Sequence, residues 1–187
     1  MKRTRQISRP GAILLLALVC LPLAGGPNSA VAEPRIAVLE FELNNLTPIA
    51  TSPEDLKYAA SISGMLEEAL RETVDVRIVS IDPAVAREAD AAFGYLFEHS
   101  DTAARLGLAH GADWILVGRL HKPSFLFAYL MARLVNTRTG RLAEDLIVEI
   151  KGQQQVVTRK GVKRLAEKLA ARLTANVDET VERPADH

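Results

Sequence analysis

The order of apolar and polar residues along this chain predicts a domain in which β-strands and α-helices alternate. Five segments rich in branched and aromatic residues are predicted strands, because these side chains fit a pleated, half-buried surface. Apolar residues at helical spacing, preceded by capping residues, predict helices between and after them. The predicted strands are residues 35–43, 75–80, 113–121, 124–137 and 142–151, and the predicted helices begin near residues 52, 82, 100 and 157. We therefore expect an α/β fold, with a mixed sheet of about five strands packed with three to four helices.

The first and last helices have the clearest amphipathic pattern. Ser52 and Pro53 form a helix start, and apolar residues recur every three or four positions behind them. Gly64 weakens this helix, so we expect a neighbouring element to approach it closely. The last helix, residues 157–177, has one apolar stripe and a basic outer face. Each helix should pack its apolar stripe against the sheet.

The predicted fourth strand is apolar on both of its faces. One face carries leucine and alanine at residues 126–134, and the other carries larger aromatic side chains. Either helices cover both sides of the sheet, or the aromatic face is a docking patch for another protein. The irregular segment before the third helix would extend such a patch. The candidate partner-binding residues are Phe125, Phe127, Tyr129, Met131, Tyr95 and Phe97.

The first 32 residues have the three parts of an export signal in the right order. A basic stretch precedes an apolar run, and the small-x-small sequence Ala30-Val31-Ala32 follows. We expect cleavage after Ala32, which places the mature protein in the periplasm. One alternative is a retained membrane anchor, although the apolar run is shorter than the roughly 20 residues that cross a bilayer. Another is lipidation of Cys20, although Val19 stands where a lipoprotein signal prefers a small residue.

Removal of the signal changes the charge and the redox chemistry of the chain. The 187 residues include 23 basic and 23 acidic ones, but four of the basic residues lie in the signal. The mature chain would have a net charge of −4, which gives no global attraction to nucleic acid. It would also lose its one cysteine, and with it any disulfide or thiol chemistry. We expect a single domain at residues 33–178 and a flexible tail at residues 179–187.

Four residues are candidates for binding a small ligand or a metal ion: Glu40, Glu42, His121 and Lys122. Strand alternation would place Glu40 and Glu42 on the same face as Ile36 and Val38. Paired carboxylates suit a cation, but a strand end that emerges into solvent is the simpler interpretation. The histidine and the lysine stand at the end of a strand, where binding sites are often built.

The sequence contains no recognisable catalytic or cofactor motif. Its histidines lack zinc-binding spacing, and its glycines form neither a dinucleotide-binding nor a phosphate-binding loop. Residues 98–101 contain the residue types of a hydrolase triad, but adjacent residues cannot converge as a triad requires. Helix capping by Ser100 or Asp101 explains that segment better. We therefore expect no enzymatic activity and no cofactor.

Several strings resemble the amino-terminal domain of TolB and related exported modules, including curli-secretion lipoproteins and lipoprotein activators of peptidoglycan synthases. They are RIAVLEFEL at residues 35–43 and LGLAHGADWILVGRLHK at residues 106–122. In such domains the Gly-Ala-Asp string and the apolar run behind it, here residues 111–118, mark a short turn into a strand. Their hairpin usually has Asp where this chain has Asn136, and Asn supports the same turn.

The string GRLHKPS, residues 118–124, resembles a family of small exported proteins of unknown function. The two resemblances cover most of residues 35–150, and the propeller repeats of TolB are absent. They imply a periplasmic accessory domain that binds an envelope or periplasmic protein, or further copies of itself. We therefore predict an adaptor without catalysis and without a membrane span after cleavage. The alternative is a ligand- or metal-binding module that serves an exported enzyme system.

Overall fold

The structure, a computed structural model, describes residues 33–151 and 155–182 of the chain. The predicted signal peptide with its cleavage site and Cys20 lies outside the described residues, as do residues 183–187 of the predicted tail. The strands are β1 Arg35–Val38, β2 Glu42–Asn45, β3 Arg77–Ile78, β4 Trp114–Lys122, β5 Phe127–Asn136 and β6 Leu142–Lys151. The helices are α1 Pro53–Thr73, α2 Pro83–Ala89, α3 Tyr95–Glu98, α4 Ser100–Ala109 and α5 Gln155–Glu182. None of the helices in these ranges is both long and apolar enough to cross a membrane.

The strands form one mixed sheet, as predicted. Its order is β3-β1-β4-β5-β6, and β2 pairs with β4 beyond the end of β1. The pairs among β1, β2, β3 and β4 are parallel, whereas β4-β5 and β5-β6 are antiparallel. Helices lie on both sides. The α1 and α5 helices cover the first face, and α2, α3 and α4 cover part of the second face.

The predicted first strand is in fact two strands, β1 and β2. They are separate because the chain between them has one residue more than the segment of β4 that lies alongside. Val38 pairs with Leu116 of β4, and Glu42 pairs with Arg119. Three residues therefore lie opposite only two of β4 between these pairs. Since side chains alternate with a period of two, an extra residue reverses which face each later side chain occupies.

This reversal changes the position of the two glutamates. Phe41 packs in the same cluster as Ile36, on the first face. Glu42 lies on the opposite face, and the carboxylate of Glu40 reaches Arg87 on α2. The prediction that both glutamates share a face with Ile36 and Val38 was therefore wrong, because strict alternation does not anticipate the extra residue.

The ring of Phe41 lies directly against Gly118 of β4. A Cβ atom at residue 118 would stand 2.4 Å from the Phe41 ring, well inside van der Waals contact. Phe41 is only 2% exposed, so the ring has little room to move away. Glycine at this position is therefore what allows Phe41 to fill the first face at the junction of β1 and β2.

The first helix begins as predicted. Ser52 and Asp55 form a reciprocal capping box, in which the Asp55 backbone N–H donates to Ser52 Oγ at 3.1 Å. The prediction of a close neighbour at Gly64 was wrong, since a Cβ atom there would have no atom within 4 Å. Leu56 also departs from the predicted stripe, because it is 53% exposed.

The Gly-Ala-Asp string before β4 joins three separate segments. The carboxylate of Asp113 accepts hydrogen bonds from the backbone N–H and the guanidinium group of Arg35, at 2.8–3.0 Å. The Thr137 hydroxyl reaches the carbonyl oxygens of Ala112 and Asp113, at 2.6 and 2.9 Å. The start of β1, the start of β4 and the end of β5 are thus held together.

The hairpin between β5 and β6 has the predicted turn. Asn136 Oδ1 accepts hydrogen bonds from the backbone N–H groups of Arg138 and Thr139, at 3.1 and 3.0 Å. Gly140 has a φ of 68°, the left-handed conformation that glycine adopts without strain. Asn therefore supports this turn as Asp would.

The predicted cap of α4 was wrong. His99 occupies the N-cap position without a side-chain hydrogen bond. Ser100 Oγ instead donates to the carbonyl of Gly140 at 3.2 Å, and Asp101 pairs with Arg105 one turn along the helix. The serine therefore fastens α4 to the β5-β6 turn.

We predict that Gly118→Ala destabilises the domain by about 2 kcal/mol, because the new methyl group would overlap the Phe41 ring. The matched control is Gly64→Ala, which places the same methyl group in open space on α1. It should stabilise the domain by about 0.5–1 kcal/mol, through the higher helix propensity of alanine. Urea denaturation of both variants measures the change. Equal effects at the two glycines would contradict the proposed contact.

The hydrogen bonds from Arg35 hold the pKa of Asp113 below its usual range. Such a group stabilises the fold above its unfolded-state pKa of about 3.9, and this stabilisation is lost as the pH falls through the folded-state pKa. We therefore predict that Asp113→Asn is less stable than the wild type at pH 7 but loses less stability between pH 5 and pH 2. Denaturation at each pH tests this. Asp75→Asn, at an exposed aspartate, controls for net charge, and parallel curves for Asp113→Asn and wild type would refute the prediction.

Candidate interaction surface

Two arginines lie at the edge of the region of the second face that the helices cover. The guanidinium carbons of Arg119 and Arg133 lie 4.2 and 4.4 Å from the centre of the Phe97 ring. Glu98 contacts both, at 3.8 Å from Arg119 and 3.0 Å from Arg133. Because Phe97 is only 2% exposed, the phenylalanine is a core residue to which both cations are stacked.

Glu42 connects this cluster to the segment before α3. Its carboxylate accepts a hydrogen bond from the backbone N–H of Gly94 at 2.7 Å and pairs with Arg119 at 3.2 Å. Burial raises the pKa of Glu42, although both of these hydrogen bonds oppose that shift. The Phe93 ring covers Arg119 from another side, at 5.2 Å. The arginine side chain is thereby left only 12% exposed.

Beyond the arginines, the second face carries half-buried and exposed side chains outside the helix-covered core, although Met131 at the margin packs partly against that core. We call this region the open sheet face. Strand register places its members side by side, since His121 pairs with Tyr129, and Met131 pairs with both Arg119 and Ile147. The His121 and Tyr129 rings are stacked 6.3 Å apart, and Phe127 meets Tyr129 edge-on at 5.8 Å. The open sheet face consists of Asn44, His121, Phe127, Tyr129, Met131 and Ile147.

The predicted partner-binding residues fall into three environments. Phe127, Tyr129 and Met131 lie on the open sheet face, and Phe125 is 49% exposed in the bend before β5. Tyr95 is half-buried and stacks on the ring of His99, with centroids 4.0 Å apart. Phe97 is buried and cannot extend an exposed patch. Helices therefore cover one part of the second face and leave the other open, and that the open part docks a partner stays a prediction.

The four predicted ligand-binding residues do not form one site. Glu42 is paired with Arg119, and the imidazole Nδ1 of His121 lies 3.1 Å from the side-chain nitrogen of Asn44, on the open sheet face. Lys122 lies on the first face, where it lines a cavity of about 70 Å³ and its ammonium is 3.7 Å from Asp55. Glu40 is turned towards α2. Within residues 33–151 and 155–182, no cluster of three or more metal-ligating side chains is present.

Three residues of this surface were not predicted from the sequence: Arg119, Arg133 and Ile147. The signal for the arginines was a cation in the interior of each of two strands, flanked by Gly118 and Leu120 in one and by Ala132 and Leu134 in the other. Their partners could not be found from spacing, because Glu42 and Glu98 come from distant segments. Ile147 follows Leu146 in an apolar run, and only strand register shows that it faces outward beside Met131.

Residues 34–169 match a protein family described as "Protein of unknown function (DUF2380)". This match spans all of the described sheet and the first half of α5. It agrees with the predicted resemblance to a family of unknown function. No curated protein matches the sequence.

Comparison with solved structures confirms the predicted TolB-like α/β fold. TolB from Acinetobacter baumannii aligns with a TM-score of 0.50 and 13% identity, over 77% of this chain but only 29% of TolB. The C-terminal domain of LpoB from Salmonella enterica aligns with a TM-score of 0.46 and 15% identity, over 66% of this chain and 87% of that domain. PelC from Paraburkholderia phytofirmans, solved as a dodecamer, aligns with a TM-score of 0.46 and 14% identity, over 74% of this chain and 88% of that chain. At these identities the likeness concerns the fold alone.

We predict that Arg119→Met destabilises the domain by about 3 kcal/mol, because it leaves Glu42 half-buried without its cation. Arg105→Met is the matched control, since it removes an arginine that pairs with Asp101 at a shorter distance, 2.8 Å, in solvent. Exposed pairs contribute little, so the control should leave stability nearly unchanged. Thermal and urea denaturation measure both variants. Equal losses would show that burial does not determine the strength of the Arg119 pairs.

Proposed function

We propose an adaptor function for this chain, which belongs to the protein family of unknown function DUF2380. The protein is exported, loses its signal after Ala32, and binds another protein of the bacterial envelope without catalysis. The open sheet face is the contact surface. The observation that supports this proposal is a patch of aromatic, methionine and isoleucine side chains on a sheet that helices otherwise cover.

The composition of the open sheet face suits protein recognition. Aromatic residues and methionine are enriched in the cores of protein interfaces, since they bury a large area at a small entropic cost. Tyr129 lies among His121, Phe127 and Met131, so a partner side chain placed there would contact several rings at once. Charged residues at the margin, Asp145 and Glu149 among them, would form a polar rim.

The sheet also holds this surface rigid before binding. The residues of the open sheet face extend from the central strands β4 and β5 and from the flanking strands β2 and β6. The opposite side of these strands packs in the main core. Leu130 and Ala132, which alternate with the half-buried residues of β5, are fully buried. A preformed surface loses little conformational entropy on binding, which favours affinity.

Crosslinking in cells followed by affinity purification from the native periplasm tests this function. We expect one reproducible envelope protein to be crosslinked to the wild type and lost from Tyr129→Ser. Leu56→Ser is the matched control, because it removes an exposed apolar side chain from α1, which packs on the other face. This control should retain the partner.

Two outcomes would contradict the proposal. One is the absence of any envelope partner at every crosslinker length, with the wild type present in the periplasm. The other is a partner that Tyr129→Ser retains as fully as Leu56→Ser, because binding would then use another surface. Circular dichroism melts of each variant confirm that a loss of crosslinking is not a loss of folding.

A further inference from the structure

β6 is the last strand of the sheet, and one of its two edges is unpaired among the described residues. All ten of its residues, Leu142–Lys151, form one strand whose recorded pairing is with β5. The strand contains neither proline nor glycine. An edge of this kind presents a row of backbone N–H and C=O groups that can pair with an added strand.

From residue 145 to residue 149, the second-face side chains of β6 are acidic, apolar and acidic. They are Asp145, Ile147 and Glu149, which pair across the ladder with Arg133, Met131 and Tyr129, and the basic Lys151 follows at the end of the strand, opposite Phe127. Ile147 is 53% exposed, and Glu149 is exposed with no recorded ion pair within the described residues. Asp145 is bonded to Arg133 but keeps an exposed side, since 41% of its side chain is accessible.

We infer that the free edge of β6 accepts an extended segment of the partner protein with the pattern basic-x-apolar-x-basic. Residues of an added strand lie directly opposite those of β6, so alternate positions would face Asp145, Ile147 and Glu149. Opposite charges across neighbouring strands attract, and the central apolar residue would cover Ile147. The pattern is symmetric, so it fits a parallel or an antiparallel strand. This inference rests on the adaptor function and names the chemistry of the partner.

Charge also argues against a second copy of this chain as the occupant of the edge. In an antiparallel self-pairing centred on Ile147, Asp145 would face Glu149 on both sides of the centre. Moving the centre to Leu146 would bring Arg141, the residue just before β6, opposite Lys151. These two registers keep the most residues paired, and both oppose like charges.

The test uses the full mature chain and the synthetic peptide acetyl-TKTVTKT-amide. Two-dimensional NMR during titration should show shifts concentrated on β6, and hydrogen exchange should slow at alternate β6 amides. Two peptides control for pairing and for charge. The first, acetyl-TKTPTKT-amide, cannot complete the backbone ladder, and the second, acetyl-TETVTET-amide, reverses the charges. Both should bind at least tenfold more weakly.

A charge reversal on the protein provides the matched comparison. Glu149→Lys should weaken binding of the basic peptide about tenfold, since an attraction between opposed residues becomes a repulsion. Glu167→Lys makes the same change at an exposed position on α5 and should leave the affinity unchanged. Both sites are exposed, so both variants should fold.

The inference is overturned if the proline peptide binds as well as the parent peptide, or if Glu149→Lys and Glu167→Lys behave alike. It is also overturned if concentrated protein alone dimerises with protected β6 amides, because a second copy would then occupy the edge. These results are separate from the crosslinking experiment. A partner lost on Tyr129→Ser, together with a peptide that does not bind β6, would reject the edge and keep the adaptor function.

Discussion

The contact between Phe41 and Gly118 is the constraint from which the arrangement of the second face follows. The chain has one more residue between β1 and β2 than β4 has beside it. The extra residue turns Phe41 towards the first face, and its ring needs the space that a side chain at residue 118 would occupy. With Phe41 on the first face, Glu42 necessarily lies on the second.

That position of Glu42 provides an anion where Arg119 crosses the second face. An arginine among apolar strands is costly unless its charge is paired and its guanidinium group is packed. Here Glu42 and Glu98 pair with Arg119, while Phe97 packs against its planar surface. The polar cluster therefore forms a boundary that crosses the second face of the sheet. The apolar core beneath α2, α3 and α4 ends at this boundary, where Met131 still packs partly against it, and the open sheet face begins there.

The sequence was sufficient to predict the features that depend on local residue types. The alternation of apolar residues placed β6 at residues 142–151, the bounds that the structure has. The cap of α1 and the Asn136 turn were also predicted, because each depends on a few neighbouring side chains bonding to nearby backbone groups. The mixed sheet followed from the order of elements, since the last two strands are joined by a short turn and the earlier ones by helices.

The failures concern contacts between distant segments. A period of two cannot reveal an extra residue, so Glu42 was assigned to the wrong face. Phe97 was interpreted as a patch residue because its segment looks irregular, yet a single turn of helix buries it between two arginines. His121 and Lys122 were grouped as neighbours in sequence, although adjacent strand residues necessarily point to opposite faces. The open sheet face was the one candidate site that strand alternation alone could outline, because three of its members lie on the same strand. Its extension to Ile147 and its boundary at Arg119 depend on pairing with other strands. A partner that recognises this surface would therefore depend on the register of the sheet as much as on the side chains themselves.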